Sequence, residues 1–300
     1  MKVFDRDRRL KYTELVIKNI LLFCAIISVF TTIAIVVSLS SNTVAFFKEV
    51  SIVEFLFGSE WTPLFQNPRY GVLPLIAGTF IVTVGASIVA LPVGLFSAIY
   101  LSEYADRRVR KILKPFLEIL AGIPSIVYGF FALTYITPIL QKFIPQTEIY
   151  NAASASIAIG IMIMPVVASL SEDAMMAVPN SLRHGGYALG ATRFEVVKGI
   201  VIPSALSGIV SSFVLAISRA IGETMIVVLA AGARPNLTLN PLESVQTLTA
   251  FIVQASQGDL PHGTTSYHAL YAVGMLLFLI TFMMNIFSRY IVRRREAALK

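Results

Sequence analysis

Apolar and polar positions along this chain alternate in long blocks rather than at short periods. Six apolar stretches stand out, approximately Asn19–Leu39, Leu73–Tyr100, Phe116–Thr137, Ala152–Leu170, Leu206–Gly232 and Ala269–Val292. At about 1.5 Å of rise per residue, a helix of each length crosses a hydrocarbon core of about 30 Å. The pattern predicts an all-α polytopic membrane protein with six spans. A basic N-terminal arm over 1–18 precedes one transmembrane domain over 19–300. The connecting segments 40–72 and 233–268 are too short for cores of their own and are expected to carry short interfacial helices. The first apolar run offers small residues at Ser38-Leu39-Ser40. Its apolar core nevertheless exceeds the roughly 7–15 residues of a signal h-region, so it is expected to stay as a permanent helix. No internal repeat, low-complexity tract or separable soluble domain is apparent.

Composition agrees with that reading. Hydrophobic residues make up 56% and charged residues 14%, with a mean hydropathy of +0.77. Soluble proteins average about 45–50% and 25%. The net charge of +7 is a topology signal rather than a nucleic-acid patch. With a cytoplasmic N-terminus, nineteen Lys and Arg fall inside: six in the N-terminal arm, five in 107–114, three in the fourth loop (Arg183, Arg193, Lys198) and five at the C-terminal end. Only Lys48, Arg69, Lys142 and Arg234 fall outside, which selects N-in, C-in. The single cysteine, Cys24, lies among Leu22, Phe23 and Ile26 and is expected to be a buried apolar thiol.

Chemistry is sparse. The chain has no Gly-x-x-x-x-Gly-Lys-[Ser/Thr] loop, so it is not expected to hydrolyse ATP alone. It has no His-Glu-x-x-His and no Cys pair, and His184, His262 and His268 are scattered. No catalytic residue, metal site or cofactor of its own is expected.

Three local features remain. The fourth loop, about 179–203, runs between Pro179 and Pro203 and turns at Gly190. Tyr187, Phe194 and Val197 lie about a helical turn apart, which suits either an interfacial amphipathic connector or a partner-docking face. In the fifth span, Ser218-Arg-Ala-Ile-Gly-Glu-Thr224 places Arg219 near the middle of a predicted helix. Glu223 follows one turn on, about 6 Å further out. A charge at that depth costs about 2.5–3.5 kcal/mol, so these side chains are expected to face a bundle interior or a watered path. The bland alternative is a self-neutralising intrahelical ion pair. Small residues at every fourth position (Ser204, Gly208, Ser212, Ala216, Ala220, Thr224) predict close helix contact. In the third span, Ala121-Gly-Ile-Pro-Ser-Ile-Val-Tyr-Gly129 suits a kink beside a cavity, or a plain kinked packing helix.

The fourth loop resembles the cytoplasmic loop of ABC importer permeases: Glu-Ala-Ala, three residues, Gly, nine residues, Ile-x-Leu-Pro. Gly190 takes the glycine, nine residues follow, and Ile200, Val201, Ile202 and Pro203 complete the pattern. His184-Gly185-Gly186 replaces Glu-Ala-Ala, which removes one anionic contact, and Ile202 replaces Leu. In the family this loop is a coupling helix seated on the ATP-hydrolysing subunit. The resemblance therefore assigns Tyr187, Gly190, Ala191, Phe194 and Pro203 to ATPase coupling.

Gly122-Ile-Pro-Ser-Ile-Val-Tyr-Gly129 and Ser218-Arg-Ala-Ile-Gly-Glu-Thr-Met225 further resemble signature stretches of the high-affinity phosphate importer permeases. Glu54–Pro63 and Leu101-Ser-Glu-Tyr104 resemble the PstC-type rather than the PstA-type subunit. What the resemblance implies is a type I ABC importer permease fold in a bacterial inner (plasma) membrane, with a translocation path carrying Arg219, Glu223, Ser125 and Thr224. It also implies a PstA-type permease as heterodimer partner, two ATP-binding subunits that hold ATP and Mg, and an external phosphate-binding protein. Arg offers forked donors to an oxyanion. Hydrogen phosphate keeps an O–H that Glu223 could accept, whereas sulfate has none. A permease for sulfate, molybdate or phosphonate is the alternative within the class. An ATP-independent secondary transporter, with the two charges as an ion relay, is the alternative outside it.

Overall fold

The computed structural model describes the backbone of residues 2–258 and 260–298 and the side chains of residues 14–258 and 260–290. In chain order the helices are α1 (Lys2–Glu49), α2 (Ile52–Phe57), α3 (Leu73–Ile99), α4 (Arg107–Ala121), α5 (Ser125–Phe131), α6 (Thr137–Phe143) and α7 (Ala152–Met176). There follow α8 (Asn180–Ala188), α9 (Arg193–Val196), α10 (Ile202–Ile221), α11 (Met225–Ala230), α12 (Leu248–Gln257) and α13 (Thr265–Ala298). Single π-helical turns extend α3 (Tyr100–Tyr104), join α5 to α6 (Ala132–Ile136) and join α9 to α10 (Val197–Val201). Six continuous rods are long and apolar enough to cross a membrane: Glu14–Glu49, Leu73–Tyr104, Ser125–Phe143, Ala152–Met176, Arg193–Ile221 and Thr265–Tyr290.

The count of six matches the hydropathy pattern, but several boundaries move. The third span starts at Ser125 rather than Phe116. Residues 107–121 form the separate amphipathic α4, whose Arg and Lys recur on one side, and Pro124, lacking an N–H, breaks the chain before α5. The fifth span begins as early as Arg193, inside the fourth loop, and stops at Ile221 rather than Gly232. α1 runs unbroken from Lys2, through the basic N-terminal segment, into the first span. Among the cations behind the charge bias, Lys2, Arg6, Arg8, Arg9, Lys11, Arg293, Arg294, Arg295 and Lys300 lie outside the described side chains.

α7 is the centre of the bundle, capped at its start by Asn151, whose Oδ1 accepts from the Ser154 N–H at 2.7 Å. It packs on α3 and α10. Lipid offers no hydrophobic drive between helices, so small residues that let backbones approach set these contacts. A Cβ at Gly94 would lie 2.7 Å from Val167 Cβ, and one at Gly160 2.8 Å from Val89 Cβ. Gly94→Ala should therefore destabilise the bundle by about 1–3 kcal/mol through overpacking, read as an earlier thermal unfolding in detergent. The small-residue ridge of α10 does the same work over its central part. Ser212 Oγ lies 2.7 Å from Ser171 Oγ of α7, and Ala216 and Ala220 are buried, while Ser204 is exposed and Thr224 lies beyond the helix.

Outside the bundle core, Phe46, Phe55, Trp61, Tyr70 and Phe251 pack edge to face in one aromatic cluster. The expected interfacial helices therefore take different forms. α2 is a short surface turn, whereas α12 dips inward, with Leu248, Phe251 and Ala255 buried and the Leu248 N–H donating to Thr79 Oγ1 at 3.0 Å. Cys24 is exposed, not buried. Around it on α1, Leu21, Leu22, Phe23, Ile26 and Ile27 are likewise exposed.

Candidate functional site

The two signature stretches, about ninety residues apart in sequence, meet in space. α5 packs on α11; a Cβ at Gly129 would lie 3.1 Å from Ile226 Cα. The contact needs a residue without a side chain, which gives Gly129 a packing reason. Ser125 opens α5 behind Pro124 and is half-buried. Tyr128, one turn on and buried, donates its hydroxyl to the Leu120 carbonyl of α4 at 2.8 Å.

Arg219 and Glu223 do not share a helix. Arg219 stands in the last turn of α10 rather than in its middle, and it is exposed. Gly222 caps α10, and Glu223 and Thr224 form the break before α11. The Glu223 carboxylate turns away from Arg219: Oε1 accepts from the Met225 N–H at 3.1 Å and the Ile226 N–H at 3.3 Å. It thereby satisfies two orphan donors at the start of α11. The intrahelical ion pair of the bland alternative is absent among the described residues. A break lowers the cost of both groups, because freed N–H groups stabilise the anion and the cation faces open space. Beside Arg219, Ser218 Oγ is buried without a hydrogen-bond partner. Thr224 Oγ1 donates locally to the Gly222 carbonyl at 3.1 Å.

Sequence reading missed the floor of this break. Thr249 of the inward-dipping α12 donates its hydroxyl to the Glu223 carbonyl at 2.8 Å. A Thr 26 residues away in a segment expected at the surface carries no local signal.

The fourth loop folds as two short helices around Gly190, whose φ of 82° favours a glycine. Thr192 and Glu195 then form a capping box that starts α9. Tyr187 and Phe194 are exposed as expected, and Leu189, at 91%, is the most exposed large apolar side chain here. Val197 departs from the expectation: it is buried with Val196 and Val201, because the π-helical turn rotates it into the bundle. Ala191 is half-buried, its N–H donating to the Gly186 carbonyl at 3.2 Å, and Pro203 sits in the first turn of α10. Gly186 is buried, and a Cβ there would lie 2.7 Å from Ile200 Cδ1, a physical reason for glycine at this position. His184 is exposed.

The loop is tied to the bundle by Arg183, which pairs with Glu103 at 2.9 Å and donates to the Met175 and Val178 carbonyls at 2.7 and 2.5 Å. Arg193 stacks over the Tyr104 ring at 5.4 Å. Residues 90–297 match the family model described as the binding-protein-dependent transport system inner membrane component. The chain belongs to this family.

It is an ABC importer permease, a multi-pass inner-membrane subunit. The permease is 35% identical over 91% of its length, and 89% of the relative's, to the probable ABC transporter permease protein YqgH of Bacillus subtilis. It is 33% identical over 81% of its length, and 79% of the relative's, to the phosphate transport system permease protein PstC of Xylella fastidiosa. Among solved structures, a chain of a bacterial alginate ABC transporter superposes with a TM-score of 0.65, covering 91% of the permease and 94% of that chain at 15% identity. A chain of the inward-facing MetNI methionine ABC transporter gives a TM-score of 0.56, covering 75% and 94% at 19% identity. Both are shared folds.

Proposed function

We propose that this permease is the PstC-type subunit of an ATP-driven importer of inorganic phosphate, with Arg219, Glu223, Ser125 and Thr224 along its translocation path. Its partners are a PstA-type permease, two ATP-binding subunits and an external phosphate-binding protein. Hydrolysis takes place on the ATP-binding subunits, and the permease converts it into movement through the segment 180–203.

The observation that carries the reading is the likeness to PstC proteins over four-fifths of the chain, joined to a helix break where Arg219 is uncommitted. An unpaired guanidinium at the end of a span presents forked donors to an oxyanion without first having to leave a carboxylate. Glu223 keeps one carboxylate oxygen, Oε2, without a described hydrogen bond. That oxygen can accept the O–H of hydrogen phosphate.

The test is uptake by the complete complex in proteoliposomes, with ATP inside and the loaded binding protein outside. Labelled phosphate should accumulate, and sulfate, molybdate and phosphonate should compete weakly. Preferred uptake of one of those would move the substrate assignment. Gradient-driven uptake by the chain alone would favour a secondary transporter. A reporter after Lys300 should be active in the cytoplasm and a tag at Asn240 accessible from outside. A protected Asn240 tag would contradict the N-in, C-in orientation.

A further inference from the structure

Among the described residues Glu172 is the one fully buried charged residue, at 0% exposure. It lies one turn before the end of α7, and its partners come from α4, nearly sixty residues earlier. Arg110 pairs with Glu172 Oε1, and Lys114 Nζ lies 2.8 Å from Oε2. Lys114 also reaches Asp173 Oδ1 at 2.5 Å. Arg110 and Lys114 stand one turn apart on α4, so two cations meet two adjacent anions and the cluster is neutral. Burial works against the Lys114 charge, but its hydrogen bonds to Asp173 and Glu172 outweigh this and hold its pKa above the ordinary lysine value. Lys114 therefore stays charged across the neutral range, and its hold on the two carboxylates weakens only as pH rises past that raised pKa.

No side chain of α4 is buried. Its Leu113, Phe116 and Leu117 line an open groove of about 410 Å³ with Phe96 and Tyr100, so apolar packing holds the helix only loosely. The ion cluster adds the fully buried contact. Separating α4 from α7 would strand Glu172 in a site shielded from water, and a buried carboxylate without its partners is strongly unfavourable. Each end of this clamp leads somewhere. α7 passes through Ala177–Pro179 into α8, and Arg183 of α8 holds the Met175 and Val178 carbonyls. α4 passes through Gly122–Pro124 into α5, and the Tyr128–Leu120 hydrogen bond spans that break.

We infer that Arg110 and Lys114, clamped on Glu172 and Asp173, are positioning residues that make α4 and the end of α7 one rigid body, and that this body carries movement of segment 180–203 to the Ser125 end of the third span. The inference rests on the coupling role proposed above. Sequence reading had counted Arg110 and Lys114 only as topology charges.

The experiment uses the complete complex in a Cys24→Ala background. A fluorophore on Ile126→Cys, exposed beside Ser125, should respond when ATP is added. Glu172→Gln and Lys114→Met should each cut that response by about fivefold or more while the ATP-binding subunits still copurify. In a second variant, Lys114→Cys with Asp173→Cys, the reduced form should lose the response as Lys114→Met does. Oxidation to a disulfide should restore the response and uptake toward those of the unaltered complex, because the covalent link replaces the ion clamp. A full fluorescence response in the neutralised variants would overturn the inference. So would a disulfide form that stays silent, a result that remains decisive if Glu172→Gln fails to assemble. A silent label in the unaltered complex would overturn the coupling role itself, and the inference with it.

Discussion

Arg219→Gln is expected to lower phosphate uptake by about 100-fold while the complex still assembles and binds its ATPase. The side chain is exposed at the end of α10 and makes no ion pair among the described residues, so its removal leaves no stranded partner in the fold. What is lost is a charged, forked donor, worth about 1.5–3 kcal/mol per hydrogen bond to an anion. Glu223→Gln separates two jobs of the carboxylate. The amide oxygen can still accept from the Met225 and Ile226 N–H groups, so α11 should keep its start. The negative charge disappears, and with it an acceptor that a hydrogen phosphate O–H would prefer. Glu223→Ala removes both jobs and should add about 1 kcal/mol of destabilisation as a lost cap. The double variant Arg219→Gln with Glu223→Gln decides between charge balance and chemistry. It should assemble and stay inactive. Near-normal uptake by the double variant would mean that the two groups only balance one another.

A second large effect is expected at the exposed turn. Leu189→Asp with Phe194→Asp should reduce copurification of the ATP-binding subunits by about 100-fold or more, because a docked apolar anchor contributes about 2 kcal/mol or more. Neither side chain supports the bundle, at 91% and 64% exposure, so the spans should insert and pack as before. Gly190→Pro should have the same consequence for a different reason. A φ of 82° is closed to proline, whose ring holds φ near −65°, and the turn that sets α8 against α9 cannot form. Retained ATPase binding by both variants, measured by affinity copurification, would place the docking surface elsewhere.

The arrangement of helix breaks explains how a chain this apolar can present charge at membrane depth. α10 stops at Gly222, and α11 starts on the N–H groups that Glu223 accepts from. The carboxylate is stabilised by the backbone the break exposes, and the guanidinium makes no ion pair among the described residues. α12 closes the arrangement through Thr249. Groups from α10, α11 and α12 thus bear on one short irregular segment.

Much of this was written in the sequence as runs and intervals. The apolar blocks specified six spans because their lengths match the bilayer and because backbone groups in lipid have to pair locally. Gly190, the spacing to Pro203 and the Arg219–Glu223 stretch are local motifs, so they could be read without any fold. The end of α10, the inward dip of α12 and the burial of Val197 were not legible, since each depends on a neighbour distant in sequence or on a single π-helical turn. Glu172 is the sharpest instance: with Asp173 it forms an acidic pair near the end of an apolar run that looks interfacial until α4 brings Arg110 and Lys114 to it. Hydropathy and local motifs report what each segment prefers in isolation. Only tertiary packing decides which charges meet, because electrostatic partners separated by sixty residues leave no periodic trace in the chain.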